Sequence, residues 1–238
     1  MRIIVMTDVH ANLPALRAAL TAIKRDGYDI IVHTGDAIGI GPYPAECLEL
    51  LLNTPNVRFV MGNHESYFVS GLPKPQPSWM SDGEVQHQLW THERLGPGAR
   101  ATMAKWPYRL DCDIEGTKVT FLHYALTASG QDFLPVIRRP ILNDLERMFS
   151  SLNSALVFYG HDHFPFDAQG QTRYVNAGPL GCSREAVAMY SLAEFSERRF
   201  DIEHRAAAYD STDLFRAFEE RNVPERHFIQ RVFFGRGV

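Results

Sequence analysis

The first sixty residues alternate between short apolar runs and stretches with helical spacing. Arg2 to Met6 is a run of apolar, mostly β-branched residues, the pattern of a strand buried on both faces. Leu13, Leu16, Leu20 and Ile23 then fall on one face of a helix over 13–25, with Asn12 as its cap, Pro14 in its first turn and Gly27 beyond its end. Ile30 to Val32 predicts a second strand, Pro44 to Leu52 a second helix and Val57 to Met61 a third strand. This β-α-β-α-β order implies parallel strands with right-handed crossovers. In such sheets the chemistry gathers at the carboxyl ends of the strands. Asp8, Asp36 and the stretch Gly62-Asn63-His64 all lie there.

Beyond Ser66 the rhythm changes. Residues 66–106 are helical and irregular and hold Trp79, Trp90 and Trp106, a set that reads as packing of an inserted segment rather than as a base-stacking pocket. Arg109–Ile114 and Lys118–His123 flank a Glu-Gly-Thr turn, a hairpin signal. Leu156–Tyr159 is another buried strand, and Phe166–Ala168 with Arg173–Asn176, then Ala186–Ser191 with Arg199–His204, read as two further pairs. The tail from 210 to 238 is helical with a break at Pro224, and could serve as a lid, a dimer surface or plain packing. The expectation is a single domain over 1–238. It has a parallel half, a more antiparallel half, a helical insertion at about 66–106 and outer helices.

Composition narrows the classes. The chain has 238 residues, 24 Lys and Arg against 28 Asp and Glu, and a formal net charge of −4. A mildly acidic chain is poorly suited to general nucleic-acid binding, which needs a basic face. No apolar window approaches a membrane span, and the N-terminal run is too short for a signal-peptide core. Cys47, Cys112 and Cys182 are odd in number and far apart, against a disulfide framework or a thiolate zinc site, so a cytoplasmic location is expected. The unusual count is histidine, at 10.

Five of those histidines sit in short motifs: Asp8-Val9-His10, Gly35-Asp36, Gly62-Asn63-His64-Glu65, His123 and Gly160-His161-Asp162-His163. Carboxylate, amide oxygen and imidazole together suit borderline divalent ions such as Mn, Fe, Co, Ni and Zn. Residues i and i+2 of an extended strand point the same way, so Asp8 with His10 is expected to grip one ion, and His161 and His163 share that spacing. Glycines before Asp36, Asn63 and His161 are expected to let the backbone turn there. Asp162 is expected to point away from the metals and His33 to lie in the core or behind the site, while His87, His92, His204 and His227 carry no assigned role.

The motif set DxH, GD, GNH(D/E), H and GHxH, in this order over about two thirds of the chain, resembles the calcineurin-like metallophosphoesterase superfamily. Thr7–Leu16, Gly35–Pro42 and Asn176–Pro179 are similar to stretches of its small bacterial and archaeal phosphodiesterase-like (YfcE-type) branch. The resemblance implies a mixed α/β (α+β) fold, a four-layer αββα sandwich of two mixed sheets flanked by helices. It implies that Asp8, His10 and His163 hold one metal, that Asn63, His123 and His161 hold a second, and that Asp36 bridges both. His64 would contact the phosphate or protonate the leaving oxygen, and Asn12 and Arg184 are candidate substrate contacts. Departures are Ala11 for a glycine, Glu65 for an aspartate, Tyr124 after His123, where a phenol could restrict substrate access, and Pro179-Leu180 for Ser-Val.

The implied activity is phosphodiester hydrolysis in small or nucleotide-like substrates by a metal-activated hydroxide, with two divalent ions, manganese first among them. Phosphomonoester, protein-phosphate or dinucleoside polyphosphate hydrolysis uses the same ligands. The alternative of another class is an idle metal-bound nucleotide sensor or scaffold, against which the complete ligand set argues. The expected partner is a small phosphate ester, with no membrane and no general nucleic-acid binding, and a homodimer is compatible with the sequence.

Overall fold

The computed structural model describes residues 1–236, so the last two residues of the predicted tail, 237 and 238, lie outside the described residues. The elements in chain order are β1 (Arg2–Met6), α1 (Leu13–Asp26), β2 (Ile30–His33), α2 (Pro44–Leu52), β3 (Val57–Phe59), α3 (Asn63–Ser70), α4 (Asp82–Glu93) and α5 (Ala99–Met103). There follow β4 (Arg109–Ile114), β5 (Thr117–Leu122), α6 (Leu142–Met148), β6 (Leu156–Tyr159), β7 (Phe166–Gln169), β8 (Arg173–Asn176), β9 (Val187–Ser196), β10 (Arg199–Ala208), α7 (Thr212–Glu220) and α8 (Arg226–Phe234).

Two mixed five-stranded sheets result, in the orders β10-β9-β1-β2-β3 and β4-β5-β6-β8-β7. Alternation along β1 sets the layers. Ile3 and Val5 face the second sheet and pack with Val119, Phe121, Leu156 and Phe158. Ile4 and Met6 face outward onto Leu16 and Ile23 of α1 and Leu48 and Leu51 of α2. On the far side, Leu145 and Phe149 cover Val157 and Tyr159. The order of layers is therefore helices, sheet, sheet, helix, the αββα sandwich.

The expected division into a parallel and an antiparallel half does not hold. β5, β6 and β8 are parallel neighbours, and β9 returns to pair antiparallel with β1. Apolar runs mark strands, but the choice of neighbour depends on contacts far away in sequence. The three tryptophans also separate: Trp106 stacks on Phe59 at 4.4 Å, Trp90 packs with Leu214, Phe218 and Ile229 of the tail, and Trp79 is 62% exposed. The insertion and the tail thus pack on each other, with Ile40 and Cys182 beneath them.

Candidate metal centre

Every motif falls just beyond a strand, at the end where the two sheets meet. Asp8 and His10 follow β1, Asp36 follows β2, His123 follows β5, and His161 and His163 follow β6. Asn63 and His64 are in the first turn of α3. The geometry is not that of an extended strand. Asp8, His10, Asp36, His161 and His163 all have positive φ, between 45° and 75°, so alternate left-handed residues rather than a pleat turn these side chains together. Ala11 is left-handed as well, at φ 50°, where a glycine would be unstrained. Of the three motif glycines, only Gly35 has a positive φ. At Gly62 and Gly160 the need is space, since a Cβ would fall 2.2 Å from Asp36 Oδ1 and 2.0 Å from Thr7 Oγ1.

Two groups of donor atoms converge. In the first, His10 Nε2 is 2.7 Å from His163 Nε2, and both lie within 3.5 Å of Asp8 Oδ1. In the second, His123 Nε2 is 3.1 Å from Asn63 Oδ1 and 3.2 Å from His161 Nδ1. Asp36 Oδ2 lies between them, 3.8 Å from His10 Nε2 and 3.2 Å from His123 Nε2. Asp8, His10, Asp36 and His123 are almost wholly buried, whereas Asn63, His161 and His163 keep some exposure.

These residues fit divalent cations. The Nδ1 atoms of His10 and His123 face the carbonyl oxygens of Ile38 (3.3 Å) and Thr34 (2.9 Å), which can only accept. Each Nδ1 must then carry the proton, leaving the Nε2 lone pair aimed at the centre, as in metal-bound histidines. Asp8 Oδ2 accepts from Thr7 Oγ1 and the His161 amide, while Asp8 Oδ1 is buried with no hydrogen-bond partner. A buried carboxylate oxygen with no hydrogen-bond partner, beside the His10 and His163 Nε2 atoms, is an arrangement a cation resolves. Burial would raise the Asp8 carboxyl, but His163 and His10 hold it well below the usual range. Burial pushes His10 down to about 4 and His161 down to about 3, so both are neutral and able to ligate. At His123 burial acts downward, yet Asp36 outweighs it and raises the group to about 9, so a cation bound there would take the place of a proton on Nε2.

Glu65, the departure from aspartate, anchors this site without entering it. Its carboxylate accepts backbone N–H bonds from Gly62, Asp36, Ala37 and Ile38 at 2.8–3.2 Å, joining the loops that carry Asp36 and Asn63. Burial and the Asp36 charge push it up to about 7, against those N–H donors, which favour the anion.

The other expected contacts lie elsewhere. Asn12 is fully buried and its amide is used within the fold: Oδ1 caps α1 at Ala15, and Nδ2 donates to the Gly181 carbonyl and Tyr209 hydroxyl. It positions the turn before α1 rather than facing a ligand. Arg184 is exposed, its aliphatic stem beside Gly235, and forms no bond to a site residue. Asp162 does point away, accepting from Asn176 at 2.6 Å. Tyr124 does not guard access: it is buried, and its hydroxyl accepts from the Ile137 amide at 2.7 Å, holding the loop before α6.

Four residues without a motif also reach the centre. Phe133 lies 5.6 Å from the His123 ring and Phe233 5.7 Å from the His163 ring. The Cys182 thiol is within 4.8 Å of the His10 and His163 donors, and burial keeps it well above its ordinary pKa. Gln88 of α4 meets His64.

The calcineurin-like phosphoesterase superfamily domain matches residues 1–198. The chain belongs to this superfamily. This calcineurin-like phosphoesterase is 29% identical over 251 aligned positions to the uncharacterized protein MJ0912 of Methanocaldococcus jannaschii, covering 98% of each chain. Its fold is similar to that of the hypothetical protein PH1004 from Pyrococcus horikoshii, with a TM-score of 0.81, 21% identity and coverage of 100% and 99% of the two chains. It is also similar to a metallophosphoesterase from Sphaerobacter thermophilus, with a TM-score of 0.75, 25% identity and coverage of 99% and 100%. These likenesses run nearly the full length, so β10, α7 and α8, which follow the domain match, share in them.

Proposed function

We propose that this calcineurin-like phosphoesterase is a dinuclear metal-dependent enzyme that hydrolyses phosphodiester bonds of small or nucleotide-like substrates. The observation that carries the reading is Asp36 Oδ2, set between two groups of metal-type donors so that one carboxylate serves both. Asp8, His10 and His163 would hold one cation, Asn63, His123 and His161 the other, with Asp36 shared. When bound, two divalent cations supply Lewis acidity at the phosphoryl oxygens and a water acidic enough to act as nucleophile at neutral pH. The mixed oxygen and imidazole donors suit manganese, with Fe, Zn, Ni and Co as the other candidates.

The chain's own residues supply the rest. The Thr34 and Ile38 carbonyls fix the tautomers of His123 and His10. His64 turns Nε2 inward, 4.0 Å from Asp36 Oδ2, and donates a proton to the leaving oxygen. Phe133 and Phe233 give apolar walls for the organic part of the ester. Among the described residues, no Lys or Arg side chain bonds to Asp8, Asp36, Asn63 or the motif histidines, so the charge of the ester would be met by the bound cations.

The test is to load the purified protein with Mn, count metals per chain, and compare bis-aryl with mono-aryl phosphates. Two metals and a higher kcat/KM for the diester are expected. Asp36→Asn is expected to lower metal content and cut turnover by roughly a hundredfold or more. Absence of turnover with every metal tried would refute the enzyme reading.

A further inference from the structure

We propose that Gln88 is a positioning residue for His64, holding the imidazole with its proton on Nε2, the nitrogen that faces the metal centre. The inference rests on the reading of His64 as the proton donor to the leaving oxygen. Gln88 lies in α4, in the insertion, and is wholly buried. Its side-chain nitrogen is 2.9 Å from His64 Nδ1 and its oxygen 3.2 Å from the same atom. A neutral imidazole has one donor and one acceptor nitrogen, and a primary amide offers both functions. With the nearer amide nitrogen donating to Nδ1, the ring proton is confined to Nε2. A carboxylate in that place can only accept, and would put the proton of the neutral ring on Nδ1, away from the substrate.

The surroundings leave this duty to α4. Gly39, at φ +81°, lies against the His64 ring, and a Cβ there would fall 2.2 Å from Nδ1. No larger residue of the Asp36 loop can partner that nitrogen. The helix that delivers Gln88 is fixed two residues later by Trp90, which packs among Leu214, Phe218 and Ile229 of the C-terminal helices. The insertion and the tail together thus orient the proton donor.

Gln88→Met keeps length and volume and removes both hydrogen-bonding functions. In the zinc-loaded wild type, 15N NMR is expected to show His64 as the Nε2–H tautomer, and in Gln88→Met as a mixture. The kcat for an alkyl leaving group, which needs the proton, should fall roughly ten- to a hundredfold, and that for a nitrophenyl leaving group less than about threefold, with KM changed less than about twofold. Added to His64→Ala, Gln88→Met should cause no further loss. A wild-type ring protonated on Nδ1, or a variant with unchanged tautomer and unchanged alkyl-to-aryl ratio, would overturn the proposal. A wild type with no phosphoesterase activity would remove the role given to His64, and the NMR result would still decide whether Gln88 sets its tautomer.

Discussion

Glu65 accepts four backbone N–H bonds and touches none of the metal-type donors across from it. Replacing it with glutamine puts an NH2 group against N–H donors. Glu65→Gln is therefore expected to lower stability by about 2–3 kcal/mol in urea unfolding, and to lower activity by loosening the Asp36 loop. The same contrast describes how far individual residues were legible. Asp8, His10, Asp36, Asn63, His64, His123, His161 and His163 stand out because chemistry restricts which side chains suit metal binding or proton transfer and because they fall in ordered motifs. Gln88, Cys182, Phe133 and Phe233 reach the same centre from a helix, a turn, a loop and the tail, where no spacing rule marks them. Asn12 shows the opposite case. Its place in a motif-like stretch suggests a substrate contact, whereas capping α1 and bonding Gly181 and Tyr209 occupy both hydrogens of its amide nitrogen.

At the level of elements, apolar periodicity located most strands and helices, and the hairpin turns at Glu115-Gly116 and Gln169-Gly170 were readable from their residues. Pairing across the sheets was not, because β1 acquires neighbours from both halves of the chain. The two sheets are also tied at an edge. His204 of β10 bonds Ser191 of β9 through Nδ1 at 2.9 Å and Asp167 of β7 through Nε2 at 2.8 Å. The order serine, histidine, aspartate has the outline of a nucleophilic triad, but Ser191 is fully buried within a paired strand, so the line acts as a clamp. Burial alone would raise the Asp167 carboxyl, yet Arg173 and His204 together hold it below its ordinary value. A depressed folded-state pKa contributes stability that is present above the unfolded value, about 4, and lost as pH falls through the folded one. Asp167→Asn should therefore flatten the fall of Tm below about pH 4, measured by calorimetry against wild type.

For the whole molecule, the centre joins both sheets, with Asp8, His10 and Asp36 from one and His123, His161 and His163 from the other. Bound cations should then add to global stability. Removal by a chelator is expected to lower Tm by roughly 10–20 °C, from about 2.7 kcal/mol for each of the two proposed sites at a hundredfold excess over Kd and about 2–4 °C per kcal/mol at this size. Re-addition of Mn should restore it. The acidic balance of the chain is no obstacle to an anionic ester, since bound cations would supply positive charge inside the centre. Among the described residues no helix is long and apolar enough to cross a membrane. The distance between His10 and His163, 153 positions along the chain, also bears on how the protein is made. During synthesis the amino-terminal ligands emerge long before their partners, and β1 must wait for β9, its antiparallel neighbour from residues 187–196. A cation bound across both sheets would therefore be captured late in the life of the nascent chain, since a chain stopped before His161 lacks one proposed ligand from each group, His163 and His161.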